Sequence, residues 1–293
     1  MKMVKMPFYE IQDGIFEIDE FDCDNIFVIT GEEKALVVDT GCGIGDIRDT
    51  IARITDKPYE VVLTHGHPDH VGGADRFEEV WLHPDDWFML DAEKSEKAPT
   101  LAYRKNYMDI IRKREKKFYD YDPERDTHEW EKKPKLLPLA DGQKFELGGR
   151  TVTAIHCPGH TPGEMVLLDD KTRTLLAGDA CNCNLLVNAG WKETPRASVR
   201  ATMEALEKIS ELSDRYDHLY NSHHDYRSFG CELPGYVLTD AVQCMKEILD
   251  GTADFEEIVN PLSKTGEKKT IALKGKSMIS FMEGNIRTEC KED

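Results

Sequence analysis

The sequence predicts an α/β protein of the α+β kind, in which two sheets pack face to face with helices on their outer sides. Two observations carry the prediction. Short β-rich runs fall in two separate stretches, each accompanied by segments of helical spacing, and that order suits two packed sheets covered by helices. One of those runs, Val61-Val62-Leu63-Thr64, is a continuous apolar strand that ends directly on a cluster of histidines, and folds that mix helices with strands commonly place their sites at strand carboxyl ends. With 293 residues and 40% hydrophobic content, the chain can bury a substantial core. A single domain over residues 1–293 is expected.

Taken in order, Gly14-Ile15-Phe16-Glu17-Ile18, Asn25-Ile26-Phe27-Val28-Ile29-Thr30 and Ala35-Leu36-Val37-Val38-Asp39 read as an antiparallel meander, the last two joined by a turn at Gly31. Residues 44–54 have helical spacing, and the apolar strand at 61–64 follows. From 84 to 130 the composition turns charged, with a long helical signal at 103–119, so this stretch reads as a helical insertion. Its basic run at 112–117 reads as a solvated helix face rather than a substrate-steering patch. Strands resume at 144–147, 151–156, 165–168 and 174–177, separated by turns containing Gly or Asp. Helices at 195–211 and 236–249 flank a strand at 218–221, and strands at 270–273 and 278–282 close the chain.

Charge narrows the partners. The balance of 38 basic against 56 acidic side chains gives a net charge of −18, which repels nucleic acid and anionic membrane surfaces. No apolar stretch approaches the roughly 18 residues that span a bilayer, and the opening residues lack the apolar run of a secretion signal. A cytoplasmic location and a small-molecule substrate are expected. Eight cysteines are scattered without a CxxC pair, so they read as reduced, buried, apolar side chains.

The chemistry concentrates in Thr64-His65-Gly66-His67-Pro68-Asp69-His70-Val71-Gly72-Gly73, which packs three imidazoles and a carboxylate into six residues. An isolated HxH is as often a surface pair as a metal site. Here Gly66, Pro68 and Gly72-Gly73 fix a tight turn around groups that gain nothing by crowding unless they share a ligand. Imidazole nitrogen and carboxylate oxygen are ligands that zinc accepts. One ion cannot use them all, so the cluster can serve two. His160, Asp179 and His223 each follow a strand, with Pro, Gly or Ser beside them, and are the candidates to complete the set.

The succession THGHPDHVGG, PGHTPG, AGD and SHH resembles the metallo-β-lactamase superfamily over nearly the whole chain, from Gly14 to about Met282. The resemblance implies a four-layer αββα sandwich, the metallo-β-lactamase fold, with a binuclear site at the edge of the sheets. It implies that His65, His67 and His160 hold one metal ion, that Asp69, His70 and His223 hold the other, and that Asp179 bridges them. Asp39, in Val38-Asp39-Thr40-Gly41, matches a recurrent position behind the ligands, where it would orient one of them. His223 is preferred to His224 because it follows Ser222, and His224 is placed behind the site.

The implied cofactors are two divalent ions, zinc first, with iron or manganese as alternatives. The implied reaction is hydrolysis of a small-molecule ester, thioester, lactone or phosphodiester by a metal-bridging hydroxide, with Asp69 as the catalytic group that orients the water or relays its proton. Aspartate at 179, where zinc β-lactamases commonly carry cysteine, together with His70, resembles the glyoxalase II, lactonase and phosphodiesterase branches. Lactonases typically have a tyrosine shortly after that aspartate; this chain has Cys181-Asn182-Cys183, which reads as structural rather than as a pair of soft metal ligands. The alternatives are an iron-dependent oxidoreductase of the same fold, of flavodiiron or persulfide dioxygenase type, and a non-catalytic metal-binding protein. The insertion at 84–130 and the region around Trp191 are expected to wall the substrate pocket.

Overall fold

The structure is a computed structural model that describes residues 3–95, 98–115, 119–187, 198–224, 229–260, 266 and 268–281. Its first sheet is built in sequence order from β1 (Phe8–Gln12), β2 (Ile15–Asp19), β3 (Asn25–Thr30), β4 (Ala35–Val38), β5 (Tyr59–Val62), β6 (Glu79–Leu82) and β7 (Lys135–Pro138). The first four strands run antiparallel, and β4 to β7 run parallel. Parallel neighbours need a crossover, which α1 (Ile47–Ile54) supplies between β4 and β5. The Asp46 carboxylate caps α1 by accepting from the Arg48 and Asp49 amides at 3.0 and 3.3 Å.

After β5 come the one-turn α2 (Pro68–Val71) and, beyond β6, a 3-10 turn at Pro84–Leu90, α3 (Leu101–Glu115) and α4 (Pro123–Asp126). The second sheet uses β8 (Lys144–Glu146), β9 (Thr151–His156), β10 (Met165–Asp169) and β11 (Thr174–Leu176). Next in the chain are β12 (Asn184–Leu186), α5 (Val199–Glu211), β13 (His218–Tyr220) and α6 (Tyr236–Asp250), then β14 (Phe255–Val259), β15 (Lys268–Lys274) and β16 (Ser277–Phe281). Strand β13 joins the second sheet, in the order β13-β11-β10-β9-β8. The remaining strands form a third, smaller sheet in the order β12-β16-β15-β14.

The layers are visible in how alternate residues are buried. Phe27, Leu36 and Val62 of the first sheet pack against Phe145, Leu167 and Tyr220 of the second. Their chain neighbours Ile26, Val28, Val37 and Val61 point the other way, into a core shared with Ile51 of α1 and Met108 and Ile111 of α3. Strands buried on both faces lose the apolar–polar alternation, which is why they read as continuous apolar runs. On the far side, Leu206 and Ile209 of α5 and Val237 and Met245 of α6 cover Val166 and Leu175 of the second sheet and Ile279 and Phe281 of the third. Helix–sheet–sheet–helix layering follows, with each fully buried aliphatic side chain contributing about 1.5–3 kcal/mol.

The segment from 84 to 130 lies on the outer core of the first sheet, where Met89, Met108, Ile111, Tyr119 and Tyr121 are buried. Arg112 of its basic run turns inward, donating to the Tyr121 carbonyl at 3.1 Å and lying 4.7 Å over that ring. Helix α3 begins earlier than its sequence signal; β1, β6, β7, β12 and β14 were not anticipated, nor was the joining of the expected strands at 270–273 and 278–282 into a third sheet. These strands are short or carry charged residues: β14 reads Phe-Glu-Glu-Ile-Val and is largely exposed. The Trp191 region, Cys290, Met282 and residues 195–197 lie outside the described residues. No described helix is long and apolar enough to cross a membrane.

Candidate metal centre

Four loops at the carboxyl ends of strands meet at one point. Beyond β5, His65 and His67 leave the strand end, and His67 caps α2 with Pro68 at its first position. Proline there needs no amide partner and starts the helix at once. The turn thus raises Asp69 and His70 toward the same space. Gly72 closes it, because a Cβ at that position would lie 2.4 Å from the Cys42 backbone. His160 comes from the loop between β9 and β10, Asp179 from the end of β11, and His223 from the end of β13. Gly178 (φ +52°) makes the bend that aims Asp179 inward, and a Cβ there would meet Glu164 Oε1 at 2.6 Å.

The distances describe two groups sharing one carboxylate. His67 Nδ1 lies 2.9 Å from His65 Nε2 and 2.8 Å from His160 Nε2. Asp69 Oδ2 lies 3.9 Å from both His70 Nε2 and His223 Nε2. Asp179 stands between the groups: its Oδ2 is 3.4 Å from His160 Nε2 and 3.8 Å from His70 Nε2, and its Oδ1 is 3.2 Å from His223 Nε2. The structure therefore brings all seven predicted ligands together.

The donor set fits divalent cations. His70 Nε2 is buried without a hydrogen-bond partner and faces the centre; burying such a group unpaired costs about 1–3 kcal/mol. The imidazole nitrogens of His65, His67 and His160 converge, two of their separations being 2.8 and 2.9 Å, within reach of the ~3.3 Å edge of a tetrahedral zinc site. The lone pairs that face inward are fixed from behind. Asp39 Oδ2 accepts a hydrogen bond from His70 Nδ1 at 3.1 Å, and the Leu186 carbonyl accepts one from His160 Nδ1 at 2.8 Å. Asp39 also accepts from the Thr64 amide and hydroxyl at 2.7 and 2.8 Å. His224 turns away, its Nδ1 bonded to Asp22 Oδ1 at 2.8 Å.

Electrostatics separates the imidazoles. Burial, then the neighbouring imidazoles, holds His65 well below the usual histidine range, and burial lowers His160 too. Burial also opposes charge on His70, yet Asp24, Asp69 and Asp179 raise it well above its ordinary value. His223 is likewise raised against burial, by Asp179. Burial alone would raise Asp179, but His223 and His70 hold it well below the carboxylate range.

Three carboxylates escaped the sequence reading. Glu164 lies 3.3 Å from His65 Nδ1 and accepts the Asp179 amide at 3.0 Å. Asp86 ties two ligand loops together, accepting from Gly66 N (3.0 Å), Gly163 N (2.8 Å) and Thr161 Oγ1 (2.7 Å); burial raises its pKa to about 6. Asp24 is buried 3.5 Å from His70 Nδ1. Glu164 could have been noticed as an acid directly before the apolar run Met165-Val166-Leu167-Leu168, but Asp86 is hidden among other charges. Cys181 and Cys183 are buried in the core under α5 and α6, and burial pushes the Cys181 thiol up to about 12.

A cavity of about 210 Å³ opens over the centre, with His67, Asp69, His160, Asp179 and His223 on its floor. Tyr103, Tyr107 and Ile110 of α3 form part of its wall, so the charged segment does border the pocket.

Comparison with known proteins bears on family and fold. The family model described as the metallo-beta-lactamase superfamily matches residues 24–216. The acyl-coenzyme A thioesterase MBLAC2 of Bos taurus is 28% identical over 227 residues, covering 69% of this chain and 75% of that one. The atrochrysone carboxyl ACP thioesterase dmxR1 of Cryptosporiopsis sp. (strain 8999) is 29% identical over 160 residues, covering 53% of this chain and 37% of that one. Among solved structures, a metallo-beta-lactamase from Pontibacter korlensis matches with a TM-score of 0.56 at 14% identity, over 83% of this chain and 99% of the other, which shows the shared fold.

Proposed function

Since the chain belongs to the metallo-β-lactamase superfamily and is a hydrolase of it, we propose that it cleaves acyl thioesters using two divalent cations, zinc first. The observation that carries the reading is the position of Asp179, within 3.2 Å of His223 and 3.4 Å of His160, where one carboxylate reaches both donor groups. In this reading His65, His67 and His160 hold one ion, Asp69, His70 and His223 the other, and Asp179 both. Two relatives named as thioesterases, one of acyl-coenzyme A and one of a carboxyl ACP, support the thioester as substrate.

Bound divalent cations supply Lewis acidity, making water acidic enough to attack at neutral pH and polarising a carbonyl. The chain's own residues do the rest. Asp39 and the Leu186 carbonyl keep His70 and His160 in the tautomers whose Nε2 atoms face inward. Asp69 has the most exposed side chain of the seven, at 15%, and so can orient the attacking water from the cavity floor and take its proton at Oδ2. A thiol has an ordinary pKa near 8.5 and leaves readily, so a strong acid opposite Asp69 is not required. The described cysteines form no disulfide, which supports a reducing compartment such as the cytoplasm.

The test is a panel of acyl thioesters, lactones and phosphodiesters offered to the purified protein, with elemental analysis alongside. The reading expects thioesters to be turned over fastest and about two equivalents of divalent metal per chain. Faster turnover of another class, or a single iron, would replace it.

A further inference from the structure

The third sheet contributes one charged side chain to the cavity over the metal centre, Lys269 of β15. Lys269 is only 9% exposed. Among the described residues, Nζ has no carboxylate within 4.0 Å and no hydrogen-bond acceptor. The other lysines of the same strand are paired: Lys268 with Glu257 at 3.0 Å and Lys274 with Glu247 at 2.6 Å. Arg114, also on the cavity wall, is held by Glu115 at 2.7 Å. A chain with a net charge of −18 has acids to spare, yet among the described residues none is placed against Lys269.

A largely buried ammonium without a partner is unfavourable, and burial lowers the pKa of Lys269 from its ordinary value. An anion entering the cavity would relieve both effects. At about 210 Å³, the cavity is below the roughly 300–1,000 Å³ that encloses a drug-sized ligand, so it takes one arm of a thioester rather than the whole molecule.

We propose that Lys269 is the anion-recognising residue of this cavity, binding a carboxylate or phosphate oxygen of the substrate, so that anionic thioesters are preferred to neutral ones that lack the charged group. The proposal rests on the thioesterase reading and adds to it the charge of the substrate. The anion has two sources: a terminal carboxylate on a short acyl chain, or the phosphate of a phosphopantetheine thiol arm. The small volume favours the first.

Three thioesters separate the sources: butyryl- and glutaryl-N-acetylcysteamine, and butyryl-4′-phosphopantetheine. In the wild-type enzyme, kcat/KM for one anionic thioester should exceed that of the neutral one by on the order of 10- to 100-fold, mainly through KM. A preference for the glutaryl compound places the anion on the acyl chain; a preference for the phosphopantetheine compound places it on the thiol arm. Lys269→Met keeps the apolar stem in place and should remove the preference, while Lys269→Arg should retain part of it. Equal turnover of all three by the wild-type enzyme, or a preference that survives Lys269→Met, overturns the proposal.

Calorimetric binding of the corresponding non-hydrolysable thioethers reads the same preference without turnover. A preference in binding that depends on Lys269, with no thioester hydrolysis, sinks the proposed reaction and keeps the anion site. Hydrolysis without any anion preference does the reverse.

Discussion

His67 Nδ1 lies 2.8 Å from His160 Nε2 across 93 positions of sequence. Neither residue can reach the other unless both sheets close, because His67 follows the first sheet's β5 and His160 sits between β9 and β10 of the second. The centre is therefore a product of the sandwich, and its integrity reports on both halves. Four consequences can be measured.

His67→Ala should reduce hydrolysis to background and lower bound metal, because it removes the nitrogen on which His65 and His160 converge. His224→Ala removes a bond to Asp22 and a ring contact with Phe229, both outside the centre, and should cost no more than about tenfold. Metal content and kcat/KM of the two variants check this; equal losses would overturn the choice of His223 over His224 as the terminal ligand.

Asp39→Ala removes the 3.1 Å acceptor of His70 Nδ1, leaving Asp24 at 3.5 Å, and leaves the Thr64 amide without its acceptor. Groups behind metal ligands typically contribute 10- to 100-fold in affinity or activity. A competition titration with a chelating dye should show a loss in that range, and an unchanged affinity would mean that Asp39 does not orient the ligand.

Removal of metal should change the sign of the pH dependence. In the metal-free protein His70 and His223 have raised pKa values, so their charged forms stabilise the fold below about pH 6.5 and are lost as pH rises through those values. Asp179 is depressed, so it contributes above about pH 3.9 and is lost as pH falls through its own lower value. Cations compete with the histidine protons, and their stabilisation grows with pH. The gap in Tm between metal-loaded and chelator-treated protein should widen from about pH 5 to about pH 8. A gap that is flat or narrows contradicts the assignment.

Gly178→Ala places a Cβ 2.6 Å from Glu164 Oε1 at a φ of +52°. Holding a non-glycine residue there costs about 1–3 kcal/mol, and the strain displaces the neighbouring Asp179. Thermal unfolding should detect the loss, and elemental analysis should show less bound metal in the variant than in the wild type.

How much of this was legible in the sequence depends on how local the information is. The histidine cluster and the strand that delivers it sit within ten residues, so spacing alone revealed them. His160, Asp179 and His223 could be singled out because each follows a strand beside Gly, Pro or Ser. Asp86 could not, since its three hydrogen bonds join loops that the chain separates by about twenty and about seventy-five positions. The third sheet was hidden for another reason: the strands at 270–273 and 278–282 were legible, but their partners β12 and β14 are short or charged, and the parallel β12–β16 pairing joins Asn184 to Met278. Lys269 inherits that obscurity, lying in a run of lysines where only the fold distinguishes the unpaired one.

The central claim is that two cations share Asp179, and anomalous X-ray scattering from crystals of the metal-loaded protein tests it most directly. Two peaks are predicted, one among His65, His67 and His160 and one among Asp69, His70 and His223, with the Asp179 carboxylate touching both. A single peak, or two that Asp179 does not join, would contradict it.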